Sequence, residues 1–326
     1  MRAMVLTGVG QPLVLQERAT PQAGDGEVRL RVEACGVCRT DLHIVDGELP
    51  SVDPPVIPGH EIVGIVEQVG LGVTLPHVGD RVGVSWLGHT CGVCRYCIRG
   101  AENLCDAPRF TGYTRPGGFA THAVAEAAYC IPLPATADPV AIAPLLCAGL
   151  IGWRCLAKAG DANTIGLYGF GAAAHIIAQV AVAQGRRVFA FTRAGDAATQ
   201  EFARSLGVRW AGGSFETPPE LLDAAILFAP DGALVPRALQ AVRKGGRVVC
   251  GGIHMSDIPA FPYDLLWGER HVLSVANLTR KDADDFFAAA AGQVRTTTTE
   301  YPLEAANDAL ASLRAGQVRG AAVLRC

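Results

Sequence analysis

The chain has 326 residues, half of them hydrophobic and 18% charged, with a formal net charge of −3. That length exceeds one ordinary core and predicts about two domains of roughly 100–200 residues each. The apolar content excludes a disordered chain, and the slight acidity argues against a surface built for nucleic acid or acidic lipid.

The opening stretch, "MRAMVLTGVGQPLVLQERAT", lacks a basic segment leading into a long apolar run, so no signal peptide is expected and the cytoplasm is the expected location. Residues 1–135 are rich in Val, Gly and Pro with short alternating apolar runs. "EVRLRVEACGV" (27–37) and "EIVGIVEQVG" (61–70) predict strands, and "VGDRVGV" (78–84) predicts a turn into another. The texture changes near Asp138. "DPVAIAPLLCAGLIGWRCLAKAG" (138–160) predicts helix broken near Pro144 and Gly149.

From Thr164 strands and helices alternate. Strands are expected at 164–170, 186–192, 208–213, within 221–229 and at 247–253; helices are expected at 172–185, 196–207 and 233–246. Such alternation predicts a parallel, doubly wound sheet. Residues 301–326 predict a helix and then a strand that returns to the first domain. Residues 164–185 carry no Asp, Glu, Lys or Arg and are long enough to span a bilayer. Three glycines in the first third favour a buried strand, a tight turn and a helix instead.

Eleven cysteines in a reducing compartment point to metal binding before disulfides. Cys91, Cys94, Cys97 and Cys105 follow C-x2-C-x2-C-x7-C, a set of four thiolates suited to a closed, tetrahedral structural zinc. An iron–sulfur cluster is disfavoured because the short last gap ending in C-P is absent. A second, dispersed set comprises Cys38, Thr40, Asp41 and His43 in "GVCRTDLH", His60 and Glu61 in "PGHE", and Cys147 in "LLCAG". One His and two Cys leave a fourth position open on a zinc ion, which is a catalytic arrangement. Spacing alone does not bring the three together, and each by itself reads equally as a buried cysteine or a loop histidine. Cys35 and Cys38 also form C-x-x-C, without the strand-to-helix context of a thiol redox motif.

"YGFGAAAH" (168–175) fits G-x-G-x-x-A through Gly169, Gly171 and Ala174. Between a predicted strand and helix, this is a dinucleotide turn that brings a pyrophosphate to a helix N-terminus, at Gly169, Gly171, Ala172 and Ala174. After the next strand an acid would hold the ribose 2′-hydroxyl of NAD. Thr192 and Arg193 stand there, with Asp196 slightly late, so the reading favours a 2′-phosphate and NADP; a solvated loop arginine is the plain alternative.

Taken in order, "GVCRTDLH", "PGHEIVGIV", "VGDRVGV", the four-cysteine lobe, "LLCAG" and "GFGAAAH" resemble the zinc-dependent medium-chain alcohol dehydrogenases over nearly the whole chain, closest to a bacterial zinc-binding subgroup. The resemblance implies an α/β fold: a Rossmann domain with a doubly wound parallel sheet, 149–276, and a β-rich GroES-like catalytic domain from both chain ends, 1–148 and 277–326. It implies that Cys38, His60 and Cys147 bind catalytic zinc, the Cys2His set of that family, with a second, structural zinc in the lobe. Glu61 would enter the metal shell during ligand exchange, and Asp41 would orient His60. Thr40 would accept the alcohol proton, His43 would pass it to solvent, and Trp86 would line the substrate pocket.

The implied function is hydride transfer between an alcohol and an aldehyde or ketone with NAD(P), zinc acting as Lewis acid. The implied assembly is a homodimer or homotetramer, with no nucleic-acid or membrane partner. The alternative is a zinc-stapled thiol redox sensor or binding protein without alcohol turnover; Arg95 and Arg99 in the lobe form no basic stripe. Two departures stand out. The acid after the second Rossmann strand is missing, and Ala321 replaces the family's pyrophosphate arginine, with Arg319 close by. Cys35, Cys130, Cys155, Cys250 and Cys326 carry no assigned role and read as small buried hydrophobes.

Overall fold

A computed structural model describes residues 1–50 and 52–326. The chain divides into two compact units: Met1–Cys147 with Asn277–Asp284 and Thr296–Cys326, and Ala148–Ala276 with Asp285–Arg295. The expected boundaries placed 277–326 wholly with the chain ends. Residues 285–295 cluster with the middle unit instead, where the Phe286 ring lies 6.3 Å from that of Trp153.

The first unit is built on a sheet in which Glu27–Val37 pairs antiparallel with Glu61–Val69, with His122–Glu126 and with Ala321–Arg325. Arg81–Val84 extends it, and Cys130–Pro132 pairs beyond that. Along Glu27–Val37 burial alternates at first, as expected of a sheet with one wet face. From Ala34 to Val37 the alternation gives way, and all four positions are buried. The strand there enters the core, and its pattern ceases to be amphipathic. Val28, Leu30, Ile62, Val82, Phe119, Leu310 and Leu324 share the core beneath. The chain end thus returns to the first unit as a strand.

The middle unit is a parallel sheet in the order Trp210–Gly213, Arg187–Thr192, Thr164–Tyr168, Leu222–Leu227, Val242–Cys250 and His271–Ser274. Thr164–Tyr168 is buried at every position, as a central strand covered on both faces must be. The order reverses direction beside this strand, which is where doubly wound sheets bind ligands.

Three local expectations need correction. Helix 233–246 ends early: Leu234–Ala241 is helical, and the strand begins at Val242, paired with Leu222. Gly245, at φ +74°, is incompatible with a continuing helix. The region after Asp138 divides into Pro139–Ile142, a 3-10 turn Ala143–Leu146 and the helix Ala148–Ala159, so the break falls on Cys147 and not on Gly149. The strand expected at 247–253 ends at Cys250. The long apolar segment resolves into the strand Thr164–Tyr168 and the helix Ala172–Ala183. Among the described residues no single helix is long and apolar enough to cross a membrane.

Candidate metal centres and dinucleotide turn

The dispersed set converges. Ligand atoms of Cys38, His60, Glu61 and Cys147 all lie within 4.8 Å of one another. Cys38 Sγ is 3.2 Å from His60 Nε2 and 4.0 Å from Cys147 Sγ. These are spacings that one tetrahedral ion, with bonds of about 2.0–2.3 Å, could bridge.

Local chemistry fixes each donor. Cys38 is the N-cap of the helix Arg39–Asp46, and Thr40 N–H donates to its sulfur at 3.4 Å. Asp41 closes a capping box by accepting from Cys38 N–H at 2.9 Å. Its other oxygen accepts from Gly59 N–H at 3.1 Å, next to His60. One fully buried carboxylate therefore ties together the two segments that carry Cys38 and His60. Asp41 Oδ1 also stands 3.3 Å from His60 Nδ1. That approach is close enough for an ion pair but poorly angled, and the buried nitrogen makes no well-formed hydrogen bond.

The charges in this cluster oppose one another. The hydrogen bond from Cys147, then burial, raises the Cys38 thiol well above its ordinary range. Burial pushes Glu61 up to about 8. Cys147 is drawn down by its bond with Cys38 but ends raised, because burial and Glu61 outweigh that bond. For His60 burial opposes protonation, yet the neighbouring Cys38 and Asp41 prevail and raise its pKa. Acidic donors that each hinder the ionisation of the next form a site that a divalent cation would relieve.

Thr40 and His43 lie three residues apart on one helix and so share a face. His43 Nδ1 bonds Glu48, whose side chain is 54% exposed and leads to solvent. The Trp86 ring meets the His60 ring edge-on at 5.0 Å and stacks on Phe110 at 5.1 Å and Tyr113 at 5.7 Å. Phe110 and Tyr113 were not among the residues expected from sequence. Their proximity in "RFTGY", just past the lobe, was the available signal.

The lobe also forms a cluster, with the sulfurs of Cys91, Cys94, Cys97 and Cys105 within 4.8 Å. Backbone N–H groups of Cys91 and Ala107 donate to Cys105 Sγ at 3.3 and 3.4 Å, and Cys94 N–H donates to Cys91 Sγ at 3.3 Å. Backbone donors, chiefly at Cys97, bring the Cys94 thiol down to about 6, while burial holds Cys105 at about 11. Four sulfurs with amide donors and no other ligand suit a closed structural site. Two anchors hold the lobe. Glu102, inside it, accepts from Arg280 N–H at 3.0 Å. His89, at its base, bonds Glu126 at 2.7 Å, which also accepts from Arg115.

All eleven cysteines are free of disulfides. Burial raises the thiols of the five that lie outside both clusters. Cys130 and Cys326 reach about 12, and Cys35, Cys155 and Cys250 also rise.

In the middle unit Gly169 has φ +84°, and a Cβ there would lie 2.7 Å from Ala229 N, so only glycine fits. Gly171 caps the helix Ala172–Ala183 with no side-chain bond, and a Cβ there would meet open space. That leaves unpaired helix N–H groups beside an open cradle, which suits a pyrophosphate. Ala172 is partly exposed in the first turn, and Ala174 is fully buried. Thr192 is also buried and donates to Gly212 O at 3.3 Å, a structural engagement. Arg193 is exposed just past the strand. Asp196 caps the next helix by accepting from Thr199 N–H at 3.1 Å. Ala321 begins the last strand and is buried in the first unit.

Residues 24–135 match the alcohol dehydrogenase GroES-like domain. The chain is 47% identical over 322 residues to "Probable alcohol dehydrogenase AdhA" of Mycobacterium tuberculosis (strain CDC 1551 / Oshkosh), covering 96% of this chain and 92% of that one. Among solved structures, the cobalt- and zinc-bound thermostable alcohol dehydrogenase from Pyrobaculum aerophilum matches with TM-score 0.89 at 26% identity, over 100% of this chain and 99% of that one. A putative zinc-binding dehydrogenase from Sinorhizobium meliloti 1021, bound to NADP, matches with TM-score 0.87 at 26% identity, over 100% and 99%.

Proposed function

The chain belongs to the zinc-binding medium-chain alcohol dehydrogenases, and from that premise we propose how its residues divide the reaction. It is an NAD(P)-dependent oxidoreductase that interconverts an alcohol and a carbonyl compound. When bound, zinc supplies Lewis-acid polarisation of the substrate oxygen, and the nicotinamide accepts or delivers the hydride.

Cys38, His60 and Cys147 would hold the catalytic ion, and the four lobe cysteines a second, structural one. The observation that carries this reading is the convergence of donors far apart in sequence within 4.8 Å. Asp41 fixes the segments bearing Cys38 and His60 and faces the ring nitrogen turned from the donor position. Thr40 would take the alcohol proton and His43 would hand it on, with Glu48 extending the relay to water. Trp86, backed by Phe110 and Tyr113, would wall the substrate site.

Gly169, Gly171, Ala172 and Ala174 would seat the pyrophosphate. Because Asp196 serves as a helix cap while Arg193 is exposed, the ribose end favours a 2′-phosphate, and NADP is the proposed cofactor. Eleven free thiols accord with a reducing compartment, and a cytoplasmic homodimer or homotetramer completes the reading. The test is oxidation of NADPH and NADH by zinc-loaded protein over short-chain and aromatic aldehydes, with zinc counted per chain. Faster turnover with NADPH at two zincs per chain is expected. Turnover with NADH preferred would discard the role of Arg193. Absence of turnover at two zincs per chain would overturn the dehydrogenase reading for this chain.

A further inference from the structure

Gly36 stands opposite Glu61 in the antiparallel pairing of Glu27–Val37 with Glu61–Val69. A Cβ on Gly36 would lie 1.7 Å from Glu61 Oε2, 2.7 Å from Cδ and 2.9 Å from Cβ. The carboxylate therefore rests on the bare Cα of Gly36. Glu61 is 2% exposed. The donor atoms of Cys38, His60 and Cys147 all lie within 4.8 Å of a Glu61 oxygen. Gly36 has no positive φ, so turn geometry does not call for glycine here.

We propose that Gly36 is a positioning residue: its missing side chain forms the notch in which the Glu61 carboxylate is parked beside the metal donors. This rests on the reading of Cys38, His60 and Cys147 as metal ligands. With the notch filled, the carboxylate must leave Gly36, and the three donors and the position they leave open lie within its reach. Filling the notch therefore converts a neighbouring carboxylate into a competing ligand. Gly36 acts only through Glu61, which makes the proposal separable from ordinary packing.

The experiment compares the parent, Gly36→Ala, Glu61→Gly and the double variant as full-length protein. Each is loaded with zinc and challenged with a chelator, with release followed by a colorimetric indicator. Each is also loaded with Co(II) at the non-lobe site, and its visible spectrum is recorded. Two metals per chain in the parent, one released readily and one slowly, establish the underlying reading without any turnover measurement. Absence of the readily released ion would defeat that reading and not specifically the notch.

For Gly36→Ala the expected results are slower release of the catalytic ion than from the parent, a shifted Co(II) spectrum and lower turnover. In the double variant both release and spectrum should match Glu61→Gly alone, because glycine removes the Cβ that would otherwise still lie 2.9 Å from the added methyl. Parent-like release and spectrum in Gly36→Ala would overturn the proposal. So would an equal change on adding Gly36→Ala to the Glu61→Gly background, or loss of the ion from Gly36→Ala. If Gly36→Ala does not fold, a folded, metal-binding double variant supports the clash with Glu61, and failure of both refutes it.

Discussion

Replacing Asp41 by Asn tests the clamp that joins the segments bearing Cys38 and His60 in the proposed catalytic site. The Asp41 carboxylate is fully buried and accepts from Cys38 N–H at 2.9 Å through one oxygen and from Gly59 N–H at 3.1 Å through the other. An amide has a single acceptor oxygen. Whichever way Asn turns, one backbone N–H faces an NH2 group and loses its partner. A bond to a charged acceptor contributes about 1.5–3 kcal/mol, and a buried unpaired donor costs about 1–3 kcal/mol. Partial relaxation at the site leaves an expected loss on the order of 3 kcal/mol. The same change removes the negative charge facing His60 Nδ1, and loss of such a partner weakens metal binding about 10–100-fold. Denaturant unfolding of the metal-free protein reads the first effect. Competition with a calibrated chelator reads the second, and the lobe ion, held elsewhere, should stay. Parent-like stability together with parent-like zinc affinity would refute the clamp.

The two turn glycines should separate. Gly171→Ala points into open space, so stability should hold within about 0.5 kcal/mol while dinucleotide binding weakens, checked by thermal melting and fluorescence titration. Gly169→Ala must accept φ +84° and a 2.7 Å approach to Ala229 N, so it should cost about 1–2 kcal/mol or more in stability. Arg193→Ser should raise KM for NADPH and leave that for NADH nearly unchanged; an equal change for both would remove Arg193 from phosphate recognition. His175 is 1% exposed beside Phe202, and burial, outweighing backbone carbonyls of Gly171 and Ala172, lowers its pKa. Below about pH 6.5 the unfolded histidine gains a proton that the folded one resists. Stability should therefore fall with pH below that point, by at most about 1.4 kcal/mol per unit from this residue. His175→Leu should flatten that slope, measured by urea unfolding at pH 5.5–7.5.

What could be read from the sequence followed the range of the interactions. The lobe was legible because four donors within 91–105 carry their geometry in their spacing. The strand–turn–helix around Gly169 and Gly171 was legible because strand, glycines and helix are consecutive. Cys38, His60 and Cys147 could be grouped by donor chemistry, but spacing alone did not bring them together, and their roles came from family resemblance. What brings Cys38 and His60 together is strand register, Gly36 opposite Glu61, and register is set by long-range pairing. The notch was invisible for the same reason, since it exists only across two strands. The helix expected to reach Gly246 was overdrawn because "VRKGG" reads as helix locally while pairing draws Val242 into the sheet. Cys147 as the break point was likewise hidden between more obvious breakers, Pro144 and Gly149.

The pairing of Ala321–Arg325 with Glu27–Val37 also bears on how the chain acquires its shape during synthesis. Val323 lies opposite Gly36, and Leu324 lies opposite Cys35. A ribosome makes Gly36 early and Val323 only after the whole middle unit. Until then, one margin of the strand that leads into the metal pocket has no hydrogen-bonding partner. An open margin of this kind invites mispairing with other chains. The middle unit, continuous from Ala148 to Ala276, can gather most of its sheet while that margin waits. Strand pairing thus makes completion of this part of the first unit wait on residues made after the middle unit.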